Sequence, residues 1–438
     1  MRSPCFSHRL PRPVLEPVSW AVLFAIAVVG SSESLSARAD GSAEGQADRV
    51  AAVDYDVATD YPAGAVVCGA DGNEYRAVRR VKAKDPTTAD ETAWQLAHVT
   101  KDVVLDVPGR FKTIRNAWSF LSGATIAAPA TVKVQLAPGT YKLQEELALD
   151  HAYGAQIVLA GTGPKPDRST IEFAGTHGIT VRAGNAITLE RLTIQEASPK
   201  PPKDRLGVLL ADGATGTVKD CVIRGFWSGF FLDNSSSLRS TGCTIETSEG
   251  WSAVDVRTNS SAVFMDCRAT RKLPAGSTFQ GGAGFIVHAN GSLWCDRCEA
   301  SGWPHGFHAR VASSAVLNDC VAKANPQMGA CAWQGAALAV NGGQFSGSEF
   351  GIHVEGATAE ISGAIIVDNK NGLQVFGTGY AVLSQQRSTF RGNRVAMLSQ
   401  FGGKVYGMPP VYDRNDEDRK AWAPGSGTSV EDQFLWNR

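Results

Sequence analysis

The chain has 438 residues and nearly balanced charge, with 42 Lys+Arg against 43 Asp+Glu, so it carries no electrostatic case for a nucleic-acid or membrane-surface partner. Its apolar content is that of an ordinary globular protein, and its 46 glycines suit a turn-rich all-β chain. Residues 1–39 read as an export signal. Arg2, Arg9 and Arg12 precede an apolar run from Trp20 to Val29, and Ala37-Arg38-Ala39 is a small-x-small cleavage site. The run is too short to remain as a spanning helix. The mature protein is therefore expected to be secreted, periplasmic or on the cell surface, with no membrane segment.

Residues 40–52 are small and polar and read as a linker, and 53–100 read as a small β module with strands around Ala65–Val67 and Tyr75–Val81. Tyr61-Pro62-Ala63-Gly64, Gly72, Tyr75, Ala77, Pro86 and Trp94 resemble the chitin-binding-like carbohydrate-binding modules of families 5 and 12. That resemblance implies exposed aromatics that stack on sugar rings and nominates Tyr61, Tyr75 and Trp94. The competing expectation is that the same rings form the core, since so short a segment has little else to bury.

Phe111, Ile114, Ala117, Trp118 and Leu121 have helical spacing, and such a helix is a natural cap for an exposed sheet edge. Strand-like runs follow at Val132–Leu136, Gln156–Ala160 and Ile171–Phe173. From Gly207 a glycine-led segment recurs about every 22 residues, at Gly229, Gly284, Gly306, Gly329, Gly351 and Gly372, with Ala253 standing in once. Each opens a strand with apolar residues one and three places on, so residues two and four places on take the opposite face. The period signals a parallel β-solenoid.

The stretch from Phe111 through Val132-Lys133-Val134-Gln135-Leu136-Ala137-Pro138-Gly139-Thr140-Tyr141 to His151-Ala152-Tyr153-Gly154 resembles the opening of pectin-lyase-like β-helices, including phage tailspike depolymerases. From about Gly178 to Ser399 the resemblance is to the repeat region of that superfamily. It implies an all-β fold, a right-handed single-stranded parallel β-helix over 101–402, with an N-terminal capping helix and the small β module in front. Residues 403–438 read as a C-terminal cap or mobile tail, and the solenoid is open to a monomer or a trimer.

Cys221, Cys243, Cys267, Cys298 and Cys320 each fall fourteen places after their own marker. They should stack in one inward column about 4.8 Å apart. A buried thiol ladder fits that spacing better than a bridge, although one or two strained bridges stay open. Cys295-Asp296-Arg297-Cys298 lacks a second Cys/His pair at a ligand-like spacing, so no metal and no cofactor is expected.

Two places after each marker come Leu209, Phe231, Asp255, Ile286, His308, Cys331, His353 and Gln374. Four places after come Ala211, Asp233, Arg257, His288, Arg310, Trp333, Glu355 and Phe376. Lys, a usual solvated filler, is missing from these sixteen positions. Histidine, arginine, carboxylate and tryptophan are the groups that bind and transform sugars, so this face is read as a groove. Two long coils add Lys203 and, further on, Arg271 and Lys272 beside it, either as basic contacts to an acidic ligand or as tolerated surface insertions.

Uronic-acid polysaccharides are eliminated or inverted at C5 through loss of the C5 proton. A guanidinium neutralises the adjacent carboxylate and a histidine takes the proton. The nominated pairs are Arg257 or Arg310 as clamp and His288 or His308 as base. Asp233, Asp255, Trp333, His353 and Glu355 are nominated as substrate contacts. The arrangement is similar to that of alginate C5-epimerases and some pectin-lyase-like lyases, although the chain lacks an Asp-Pro-His-Asp segment, and no acidic calcium cluster is visible. Two alternatives stay open: a glycoside hydrolase using Asp233 and Asp255, and a non-catalytic carbohydrate-binding or adhesin surface.

Overall fold

Short alternating runs punctuated by Gly, Asn and Asp make strands of two to six residues, and the constant repeat length lets each strand lie on its counterpart in the next coil. The computed structural model describes residues 52–89, 91–198, 203–247, 249–273, 281–422 and 433–436. The expected export signal, nearly all of the linker and loop residues 199–202 and 274–276 lie outside them. Three sheets run the length of the solenoid. One takes 12 strands from Gly139–Leu143 to Val411–Asp413, another 12 from Leu147–Ala148 to Glu417–Trp422, and the third 14 from Val103–Val107 to Phe434–Trp436. Pairing within them is parallel, as in Gly139↔Ser169 and Val103↔Val132. No helix of the described residues is long and apolar enough to cross a membrane.

The marker column lies in the second sheet, and its register is one to one: Phe230↔Val254↔Phe285↔Phe307↔Ala330↔Ile352↔Leu373. The glycines are there for closeness and not for unusual φ. A Cβ on Gly229 would lie 2.7 Å from the carbonyl oxygen of Ala253, and one on Gly351 would lie 2.6 Å from that of Gly372. At these two glycines the coil sits so tightly on the next that a methyl group has no room without a shift, whereas at Ala253 the stack accommodates one.

The interior is columnar. Phe230, Phe264, Phe285 and Phe307 form a chain of ring contacts at 5.6, 5.5 and 5.1 Å. Cys221, Cys243, Cys267, Cys298 and Cys320 are buried and free, and each gives its thiol to a carbonyl two residues earlier, as in Cys267 to Met265 at 3.2 Å. A column of asparagines, the buried Asn369 and Asn393 and the half-buried Asn415, passes side-chain hydrogen bonds from coil to coil at 3.0–3.1 Å.

The helix spans Ile114–Leu121 and starts after Thr113, whose hydroxyl accepts from the Asn116 N–H. It buries Ile114, Ala117, Phe120 and Leu121. Phe111 stands before the helix and packs on Phe120 at 5.0 Å. The small module contributes a five-stranded sheet in which His98–Val99 pairs with Thr125–Ile126. Its core continues without a break into that of the solenoid, from Tyr61 to Phe434. Coil pairing also runs past Gly403: Lys404–Gly407, Val411–Asp413 and Glu417–Trp422 each stack on the strand before them.

Candidate active site on the second sheet

Outward side chains on this sheet form three columns, and they do not share one environment. The middle column, two places after the marker, is buried: Asp255 is 0%, Cys331 0%, His308 3% and His353 5% exposed. A place on the outward face is therefore not the same as exposure to water. Long side chains in the flanking columns close over the middle one, as where the Arg257 guanidinium lies 4.6 Å from the Phe231 ring centre.

Asp255 organises the first polar group. Its Oδ1 accepts from Arg257 Nε at 2.9 Å, its Oδ2 accepts from Arg257 Nη2 at 2.7 Å, and Oδ1 also faces His288 Nε2 at 2.9 Å. Burial pushes the Asp255 carboxyl up, but the bonds from His288 and Arg257 outweigh it, and the group is held below the usual carboxylate value. It is therefore ionised and accepts only, so in a neutral His288 ring the proton sits on Nε2 and the lone pair on Nδ1. The His288 side chain is 20% exposed and that of Arg257 35%. His288 lies one position beyond the pairs Val256↔Val287 and Val287↔Ala309, which puts Arg257 and Arg310 on the coils either side of it. Asp255 is itself sealed from solvent and both its oxygens are engaged, so it holds Arg257 and His288 rather than a sugar.

His308, the other nominated base, belongs to a different group. Its ring packs edge-on against Trp333 at 4.5 Å and His305 at 4.9 Å. Burial, with the nearby charges, pushes its imidazole well below the usual value, and its Nε2 has no hydrogen-bond partner among the described residues. Packed between these rings, it is poorly placed to take a proton from a sugar in the groove. His353 is also buried; Nδ1 donates to Gln374 Oε1 at 2.6 Å, and Nε2 lies 3.3 Å from the exposed Glu355.

The remaining nominations scatter. Asp233 is half-buried and accepts from the Asn234 N–H at 2.9 Å. Lys203 is exposed. Arg271 is buried rather than on a loop surface; its Nη1 donates to Gly281 O at 2.8 Å, and its guanidinium lies over the buried Trp303 ring. Burial lowers it to about 10. Lys272 is exposed and lines a cleft with Glu196, Glu246 and Arg268 on another face of the coils.

In the small module Tyr61, Tyr75 and Trp94 are 5%, 0% and 0% exposed. Their polar ends are tied inside: Trp94 Nε1 donates to Lys84 O at 2.9 Å and the Tyr75 hydroxyl to Asp71 at 2.6 Å. These rings are core and offer no face to a sugar. His305 and Gln327 escaped the reading because they precede or lie between the columns that were aligned.

Residues 155–292 match the family model described as a right handed beta helix region. No curated protein matches the chain in sequence. Among solved structures it is similar to the A-module of the mannuronan C-5 epimerase AlgE6 of Azotobacter vinelandii, with 14% identity over 70% of this chain and 90% of that one and a TM-score of 0.43. It is also similar to the periplasmic alginate epimerase AlgG, at 11% identity, 70% and 77% coverage and a TM-score of 0.38. A third is the catalytic domain of a GH87 alpha-1,3-glucanase in complex with nigerose, at 11% identity, 77% and 68% coverage and a TM-score of 0.38. With three parallel sheets, one strand per coil in each, and the matched region lying within them, the chain is a right-handed parallel β-helix.

Proposed function

We propose that this protein acts on a uronic-acid-containing polysaccharide by removing the C5 proton, as a lyase or the closely related C5-epimerase. One observation carries the reading: a fully buried, ionised Asp255 holds His288 by Nε2 and Arg257 by both ends of its guanidinium. An oriented imidazole with a free lone pair is a general base suited to neutral pH. Guanidinium groups on the neighbouring coils supply the charge that a uronate carboxylate needs before its C5 proton becomes acidic.

Arg257 and Arg310 are the clamp candidates and His288 is the base. Asp255 is a positioning residue in this scheme. The hydrolase alternative loses support here, because a carboxylate with both oxygens bound and no solvent contact is a poor nucleophile or acid.

The test is incubation of the full chain with acidic polysaccharides in D2O. Proton abstraction gives either an unsaturated uronate, seen by ultraviolet absorbance, or deuterium at C5, seen by NMR. New reducing ends with neither signal would indicate hydrolysis and overturn the proposal. Binding with no chemistry across a broad panel would leave a carbohydrate-binding surface and overturn it equally.

A further inference from the structure

We propose that His305, His308 and Cys331 form a site for a thiophilic divalent metal ion of the zinc class. One ligand atom from each lies within 4.8 Å of the other two. A tetrahedral zinc centre holds neighbouring nitrogen and sulfur donors about 3.5 Å apart, so small side-chain rotations close the triangle. The fold brings the three together directly: His305 and His308 share the strand His305–Arg310, and His308 pairs with Cys331 on the next coil.

The donors are prepared for a metal. His308 Nε2 is buried without a partner among the described residues, a desolvation cost that a bound ion would remove. His305 Nε2 faces Gln327 Oε1 at 2.9 Å. An amide oxygen accepts, so that nitrogen carries the proton and Nδ1 is left with the lone pair. Such a second-shell bond is how proteins fix a metal-binding imidazole. The thiol of Cys331 has a weak contact, to Phe307 O at 3.7 Å. On binding, its proton passes to solvent and the thiolate joins the ion. Arg310 stands close enough to influence both histidines and Cys331, and the new thiolate offsets its positive charge. Three protein ligands leave a fourth position for water. None of the three ligands is in the Asp255 group, and Arg310, a clamp candidate, is the residue that adjoins both.

The test is titration of the metal-free full chain with Co2+. One equivalent should produce tetrahedral cobalt bands and a thiolate-to-cobalt charge-transfer band, both displaced by Zn2+. Cys331→Ser should abolish the charge-transfer band, and His308→Ala should weaken binding by at least about 100-fold. The other buried cysteines make the Cys331→Ser arm decisive: a thiolate band that persists in it overturns the proposal. Circular dichroism of each variant without metal checks folding. If a variant fails to fold, the wild-type titration still decides, since absence of any thiolate band overturns the site outright.

Discussion

Around Asp255 no buried side-chain atom of Asp255, Arg257 or His288 is left without a partner. On the two coils after that of His288, His308 Nε2, Arg310 Nε and Trp333 Nε1 are all buried and unpartnered among the described residues. Both groups lie on the same sheet with the same register, so the difference is not one of backbone. A buried polar group left alone costs about 1–3 kcal/mol. The first group has avoided that cost through internal ion pairing, which fixes geometry and suits a base. The second retains it, which suits a site completed by something from outside.

The largest effect that would break this contrast is on activity. Asp255→Asn keeps the shape but replaces an acceptor with an amide that can present the wrong group to His288. Turnover on the uronate substrate should fall by on the order of 10³–10⁴-fold, with some loss of stability because Arg257 loses its counter-charge. Asp255→Ala strands the buried ends of Arg257 and His288. It should cost about 3–5 kcal/mol in urea unfolding, and a loss below 1 kcal/mol would show that the group is not a buried ion pair. Arg257→Lys keeps the charge and loses the two-pronged bond, so catalytic efficiency should drop about tenfold, at a cost of roughly 1.4 kcal/mol.

Gly306→Ala separates the two regions. Its Cβ would meet the carbonyl of Gly329 and force apart the coils that carry His308 and Cys331. Stability should fall by about 1–3 kcal/mol and cobalt binding with it, while Asp255→Asn leaves cobalt binding intact. The smallest effect is in acid. Burial, partly offset by Glu355 and Gln374, holds His353 below the usual histidine value, so its neutral form is favoured in the fold. That contribution is present above about pH 6.5 and is lost as pH falls below it. Asp255, held below the usual carboxylate value, keeps its contribution down to about pH 4 and loses it as pH falls further, through its lowered folded value. His353→Gln should flatten the first part of an acid unfolding profile and leave the second. Coincident profiles would mean that His353 is not buried in its neutral form.

The β-helix was legible because its glycines answer to a backbone contact that repeats with every coil. The thiol column followed from the same spacing. Burial within the outward face was not legible, because it depends on how far side chains such as Arg257 and Trp333 reach over their neighbours. Asp255 and His288 stand 33 residues apart, and the spacing placed both on the face while leaving their direct bond unread. Tyr75 and Trp94 show the opposite limit: an aromatic pattern is the same whether the rings stack on sugars or on one another, and a module that shares its core with the solenoid uses them inside. Arg271 was misplaced for a similar reason, since the indole of Trp303 and the carbonyl of Gly281 give its charge a buried berth.

The column of free thiols has a practical consequence. Cys221, Cys243, Cys267, Cys298 and Cys320 mark five successive coils, each sealed to about 1% exposure. Under native conditions an alkylating reagent reaches each only when its own coil opens. The order in which the five acquire label, read by mass spectrometry, would therefore distinguish a solenoid that frays from one end from one that yields in the middle.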